Sequence, residues 1–363
     1  MADNTDRSVF HKLLHYPLSI IGLGIIVCYG CIAVFAYALA PDNSRYANQM
    51  HLAVHSQPPG YSALMLTVPD ANAPSISERF LSGVRVPTTE IAIQSYRTAP
   101  QGIWYIPAAG NSDVAAEEIL VSWQQFPDIP KNEIVQQYIR NKTFWLGTDK
   151  YGRDMLSRML VGTRVSFGIG FVAVCISLIV GITLGSIAGY YGGKPDAVIM
   201  WLINVVWSIP TLLLVIAFTL ALGKGYWQVF VAVGLTMWVE VARIVRGQII
   251  SAKKNQYVEA AYALGYSDFR IISKHLFPNI FAPLIVISAA NFASAILIES
   301  GLSFLGIGSQ PPNPSWGSMI KDHYNYLLMG KPYLALIPGI AIMSLVMAFM
   351  LLSNKLRDVL DTK

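Results

Sequence analysis

Residues 259–279, EAAYALGYSDFRIISKHLFPN, decide how the whole chain is read. The stretch is charged, basic and rich in small residues, like a soluble helix-turn-helix, yet long apolar runs flank it on both sides. A helix is expected from about Arg243 to Leu264, leaving the membrane as an arm with Val258, Ala261 and Leu264 on one face. Ala260 and Ala261 keep that arm flat. Gly265 is suited to φ > 0 and so to ending the helix. Ser267 then stands at the N-cap of a second helix, with Asp268 in its first turn against the helix dipole. That helix is expected to run to about Phe277 on a ridge of Ile271, Ile272, His275 and Leu276, and to end at Pro278, where the chain re-enters the membrane. Two readings compete: a loop packed on its own bundle, or a docking element for a soluble partner. Structured connections this long are uncommon in compact bundles and commonly functional.

The flanking composition sets the class. Of 363 residues 54% are hydrophobic and 13% charged, against roughly a quarter charged in soluble chains, so a polytopic membrane protein is expected. The net charge of +5 is modest, and the basic residues sit in loops beside apolar runs rather than on a soluble face, which argues against nucleic acid. The three cysteines, Cys28, Cys31 and Cys175, lie inside apolar runs. Cys28 and Cys31 form a CxxC, but on a membrane helix they read as small packing residues on one face rather than a redox or metal pair.

Six runs approach the ~20 apolar residues a span needs: 17–40, 165–191, 197–222 with a kink at Pro210, the shorter 226–242, 280–306 and 333–354. The first is expected to act as an anchor, without a cleavage site after it. With the N-terminus inside, the inner segments carry Arg7, Lys12, Lys194, Arg243, Arg246, Lys253, Lys254, Arg270, Lys274, Lys355, Arg357 and Lys363. The short outer loops carry only Lys224, Lys321 and Lys331, so both termini and the quoted loop are expected in the cytoplasm.

Several chemistries are missing. No GxxxxGK[ST] occurs; the nearest, ending at Lys194, is followed by Pro195, so the chain lacks a triphosphate cradle of its own. HExxH and GxSxG are also absent. His51 and His55 are spaced for a metal on a helix but lack a third ligand in register, and read as a surface pair. Glu240 and Glu299 are the ionisable groups within spans. Glu240 is expected to pair with Arg243 or with headgroups. Glu299 fits either a pathway or gate residue or a helix-packing hydrogen bond.

The outer segment 41–164 holds alternating runs at 90–97 (EIAIQSYR) and 79–86 (RFLSGVRV) that suggest strands, in a lobe either β-rich or irregular. Near its end, Thr148 is placed to cap a helix in GTDKYGRDMLSRML, with Met155, Leu156, Met159 and Leu160 as an interfacial face. Trp316, Ile320, Tyr324, Leu327 and Leu328 repeat that pattern after the fifth span. These helices are either belts at the bilayer surface or an outer mouth.

Glu259-Ala260-Ala261, Gly265 four residues on, and Leu276-Phe277-Pro278 resemble the EAA signature of importer-type ABC permeases. One departure is Phe277, which separates the leucine from the proline. Three further stretches, 145–167 (WLGTDKYGRDMLSRMLVGTRVSF), 189–196 (GYYGGKPD) and 299–320 (ESGLSFLGIGSQPPNPSWGSMI), are similar to the C-type subunit of the dipeptide/oligopeptide permease family. The likeness covers roughly 10–40 and 143–363 and leaves out 41–142.

The resemblance implies an all-α polytopic membrane protein with six transmembrane helices of the type I ABC importer permease fold and a small β-rich extracytoplasmic insertion at 41–142. The cytoplasmic N-terminus would be 1–16, the first helix 17–40, and the permease core 143–363 with a coupling loop at 243–278. It implies import of peptides or similar small solutes into the cell across the inner membrane, with a homologous second permease subunit, two cytoplasmic ABC ATPases and an extracytoplasmic solute-binding protein as partners, set in membrane lipid. ATP and Mg would belong to the ATPases, with no cofactor or metal on this chain. ATPase coupling would fall to Glu259, Ala260, Ala261, Gly265, Ser267, Asp268, Leu276 and Pro278, supported by Arg243 and Arg246. Glu259 would brace against Arg243, Arg246 or Lys253. Asn204, Ser208, Asn291 and Glu299 are pathway candidates. Asp149, Arg153, Asp154 and Trp316 are candidates for the outer gate or binding-protein dock. Rival readings are an importer of another solute such as nickel chelates, a self-sufficient secondary transporter, and a receptor built around the 41–142 lobe.

Overall fold

The computed structural model describes residue 13 and residues 16–69, 80, 82–84, 88–108, 117–127, 129–223 and 225–361. Arg7, Lys12, Lys224 and Lys363 of the charge count, and Arg79, Leu81, Arg85 and Val86 of the second suggested strand, lie outside them. Two compact units make up the chain: Met1–Gly30, Ser166–Gln310 and Ile340–Lys363 form one, and Cys31–Val165 with Pro311–Gly339 the other.

The helices are α1 (Pro17–Leu39), α2 (Lys131–Tyr138), α3 (Met155–Tyr191), α4 (Gly193–Trp207), α5 (Thr211–Leu222), α6 (Tyr226–Ala252), α7 (Gln256–Ala263), α8 (Asp268–Arg270), α9 (Phe277–Phe304), α10 (Trp316–His323) and α11 (Tyr333–Asp361). Among the described residues five helical stretches are long and apolar enough to cross a membrane, or six if α4 and α5 count as one. The kink expected at Pro210 is a break: α4 and α5 are bent by 95° across residues 208–210, and Pro210 sits at the N-cap of α5. Several spans are longer than their apolar runs, the fourth and the second among them. The fourth runs on to Ala252 as one helix that includes Arg243 and Arg246. The second starts at Met155, ten residues before the apolar run.

In the first unit α3 packs on α6 through glycines four apart. A Cβ at Gly181 would lie 2.6 Å from Val241 Cβ, at Gly185 2.5 Å from the Ala242 carbonyl, and at Gly189 2.8 Å from the Arg246 carbonyl. Each therefore permits backbone approach that a larger residue would block, the small-residue packing that membrane helices favour. Farther along α3, Phe167 meets Phe292 edge-on, and Phe292 stacks on Phe349 at 4.1 Å.

The second unit contains an antiparallel sheet of order β4-β3-β2-β1-β5, with strands β1 (Tyr61–Val68), β2 (Thr89–Ala99), β3 (Gly102–Pro107), β4 (Ile119–Ser122) and β5 (Ile139–Phe144). Residues 90–97 thus form a strand, as their alternation suggests. Alternate positions bury Leu66, Ile93 and Ile103 with Ile134 of α2 on one face, and Ala63, Met65 and Ala92 with Phe144 on the other. His51 is not on the surface: it is 6% exposed, its Nε2 3.6 Å from Glu90 Oε2, and burial holds its imidazole below the ordinary histidine range. The residues after it form a single 3-10 turn, Leu52–Val54.

The helix expected to start at Thr148 starts at Met155 instead. Asp154 caps it, its Oδ2 accepting from Ser157 N at 2.9 Å. Thr148 is buried and its hydroxyl donates to the Val54 carbonyl. Met155 and Met159 are buried core rather than an interfacial face. In α10, Trp316 and Met319 are buried, while Leu327 and Leu328 beyond it are exposed.

Candidate functional site

The quoted loop lies wholly in the first unit. The arm expected to be continuous breaks at residues 253–255 and resumes as α7. Gly265 adopts φ +71. The Tyr266 amide donates to the Ala261 carbonyl at 3.2 Å and the Gly265 amide to that of Tyr262 at 2.9 Å, which is a Schellman ending. Leu264 is not part of the arm's apolar face: Val258 and Ala261 are buried and Leu264 is 69% exposed.

Past the turn, Ser267 occupies the N-cap position but makes no side-chain cap bond. Asp268 is engaged sideways, its Oδ1 accepting from the Tyr190 hydroxyl at 2.7 Å. Pro278 does not end the second helix. Residues 271–276 form a π-helical turn, closed by the Phe277 amide donating to the Ile272 carbonyl, and the chain continues directly into α9 with Pro278 in its first turn. The wider turn accommodates the ring and missing N–H of proline that a regular α-helix rejects. It also puts Ile271 and Leu276, five residues apart, into one core with Val258, Ala261, Val245 and Ile249.

The cations expected to hold Glu259 have other partners. Arg246 forks onto Asp196, Nε to Oδ1 at 2.5 Å and Nη2 to Oδ2 at 2.7 Å. Lys253 donates to the Tyr190 carbonyl at 2.6 Å. Arg243 lies 3.6 Å from the ring centre of Trp207. Glu259 and Ala260 are exposed. The outward surface of the loop carries Leu264 and the 81% exposed Phe269, with Tyr257 and Tyr262 less exposed beside them. Around them Arg270 lies over the Tyr266 ring, which stacks on His275. Tyr190 and Phe269 were not singled out by their sequence; only the GYYGGKPD motif drew attention to the region of Tyr190.

The four pathway candidates differ in exposure. Asn204 and Ser208 are exposed on α4 and the break after it, with the Ser208 hydroxyl returned to the Val205 carbonyl. Asn291 is buried on α9 and its Nδ2 has no partner among the described residues. Glu299 is fully buried and accepts from the Ser303 hydroxyl, one turn on in the same helix, at 2.6 Å.

In the second unit Asp149, Arg153, Asp154 and Trp316 are each 6% exposed or less. Asp149 accepts from the Tyr151 and Arg153 amides and from Arg153 Nε. The Trp316 indole donates to the Met159 carbonyl at 3.1 Å. Burial pushes the Asp154 carboxyl up, against the hydrogen bonds from Ser157. These side chains stabilise their own unit, and a docking protein would reach them only through their neighbours. Among the described residues no group of His, Cys, Asp and Glu could hold a metal.

Comparison with known proteins adds the following. Residues 181–363 match the family described as the binding-protein-dependent transport system inner membrane component. The chain is 39% identical over 219 residues to the glutathione transport system permease protein GsiD of Pectobacterium atrosepticum, covering 60% of this chain and 72% of that one. It is 37% identical over 243 residues to the dipeptide transport system permease protein DppC of Bacillus subtilis, covering 65% and 76%. Among solved structures it is similar to an inward-facing MetNI methionine ABC transporter at 18% identity and a TM-score of 0.47, covering 56% of this chain and 97% of the other.

Proposed function

The chain belongs to the family of inner membrane components of binding-protein-dependent transport systems, and from that premise we propose that it is a peptide-importing permease subunit driven through its 253–278 loop. The observation that carries the coupling role is the build of that loop. Val258, Ala261, Ile271 and Leu276 anchor it to α6, while Leu264 and Phe269 stand out on the opposite surface at 69% and 81% exposure. Apolar side chains displayed on a loop anchored in this way suit insertion into a groove on another protein. That protein is one of two cytoplasmic ATPases, which hold ATP and Mg; a second permease subunit completes the pathway and an extracytoplasmic binding protein delivers the solute. Both termini and the loop lie in the cytoplasm. The π turn makes residues 268–276 one helical piece with α9, so a push on Phe269 is transmitted along a span rather than absorbed at a hinge. The peptide assignment is supported by the dipeptide and glutathione permeases to which the chain is similar.

The test is reconstitution with the partner subunits. Leu264→Asp and Phe269→Asp alter only exposed positions, so the chain stays folded while the ATPases no longer co-purify and uptake of dialanine stops. Retention of both ATPases and wild-type uptake in the double variant would remove the docking role.

A further inference from the structure

We propose that the cavity at the break between α4 and α5 is a transit site for the primary ammonium group of the translocated solute, held by the carboxylate of Glu240. This deepens the permease reading and rests on it. The cavity measures about 300 Å³ and is lined by Trp207, Thr211, Thr236, Glu240, Ser294 and apolar neighbours, at the lower end of small-molecule sites. Glu240 is the fifteenth of the 27 residues of α6. At about 1.5 Å per residue it lies roughly 21 Å along the helix, one turn short of Arg243 at the inner edge of the span, and its side chain is exposed. An ionisable side chain inside a span is costly and marks function.

The carboxylate has no hydrogen bond or ion pair among the described residues. Arg243, one turn on and the obvious counter-ion, makes no ion pair with it and lies 3.6 Å from the ring centre of Trp207, a residue of the cavity wall, its Nε without a partner among the described residues. Nothing basic lines the cavity. The lining instead supplies acceptors. Thr236 spends its hydroxyl proton on the Val233 carbonyl, which leaves its oxygen lone pairs outward. Ser294 faces it from α9, and Val206 and Trp207 bring the negative end of α4 to the wall. One full negative charge with several acceptors around it matches a group that carries three N–H donors and one positive charge. The break creates the space, because a straight span would carry its backbone through it.

The test uses the four-subunit membrane complex without its binding protein, in detergent, with radiolabelled dialanine. The expected result is saturable binding that weakens at least tenfold in Glu240→Gln and is lost in Ser294→Phe, which fills the cavity without touching the carboxylate. N-acetyl-dialanine, which lacks the ammonium, should compete at least tenfold less well. Equal binding by wild type and both variants, absence of saturable binding to wild type, or equal competition by the acetylated probe would overturn the proposal. So would release of the second permease subunit by Glu240→Gln, which would make the carboxylate an intersubunit ion pair. The permease reading is judged separately: it falls if the wild-type complex shows no ATP hydrolysis stimulated by binding protein, whatever dialanine does.

Discussion

The hydroxyl of Tyr190, at the end of α3, donates a 2.7 Å hydrogen bond to Oδ1 of Asp268, the first residue of the helical piece that follows the Gly265 turn. The same tyrosine accepts from Lys253 through its carbonyl at 2.6 Å and stacks on Tyr262. One residue thus ties the end of one span to both sides of the exposed loop.

Tyr190→Phe keeps the ring stack and removes the bond to Asp268. A loss of about 1 kcal/mol of stability is expected, small enough to leave the protein folded. Uptake per ATP hydrolysed should fall several-fold in reconstituted vesicles, because the loop moves without carrying α3. Equal ratios in variant and wild type would show that the bond transmits nothing.

The Arg246–Asp196 fork is about a quarter exposed on each side, at 27% and 20%. Arg246→Lys keeps the charge but not the two-point geometry, and about 1 kcal/mol is expected to be lost after allowance for solvent. Asp196→Asn should cost a similar amount, and the double variant less than the sum of the two. Thermal unfolding of the four proteins in detergent measures the coupling.

Gly185→Leu places side-chain atoms where a Cβ alone would be 2.5 Å from the Ala242 carbonyl. Backbone cannot yield as a side chain can, so α3 and α6 must separate, at roughly 1–3 kcal/mol or more. Gly247→Ala is the control, since nothing lies within 4 Å of a Cβ there. A melting-temperature drop confined to Gly185→Leu is the expected outcome.

His323 is fully buried, its Nδ1 against the Met319 carbonyl at 2.7 Å and its Nε2 facing the Lys150 amide. Burial holds its imidazole below the ordinary range, against the pull of the Met319 carbonyl, Asp149 and Asp322, with Lys150 adding to the lowering. The unfolded chain therefore binds the proton first, and stability falls as pH drops below the unfolded value of about 6.5. His51 shifts the same way. Asp154, pushed up, acts oppositely in a more acidic window, where the folded state binds the proton first. Melting curves from pH 7.5 to 5.5 should fall for wild type and fall less steeply for His323→Gln.

Sequence reasoning reached the loop because its signals are local. Gly265 at φ +71 needs only its own missing Cβ, and the strand at 90–97 needs only alternation. It missed what depends on distant contacts. Pro278 reads as a helix end in any local rule, yet the π turn before it lets the helix pass. Ser267 and Thr148 read as caps. Tyr190 takes Asp268 beside the first, and Val54, 94 residues away, takes the hydroxyl of the second.

The linear chain by itself determined the membrane class, the approximate place of the apolar helices and the family, because crossing a bilayer demands contiguous apolar length and the EAA stretch is a local pattern. Only the tertiary structure decided which cation meets which carboxylate. Arg246 went to Asp196 and Arg243 to Trp207, leaving Glu240 facing a cavity. Those choices follow from how α4 breaks and packs on α6, and charge attraction alone does not select among partners when several lie within a turn.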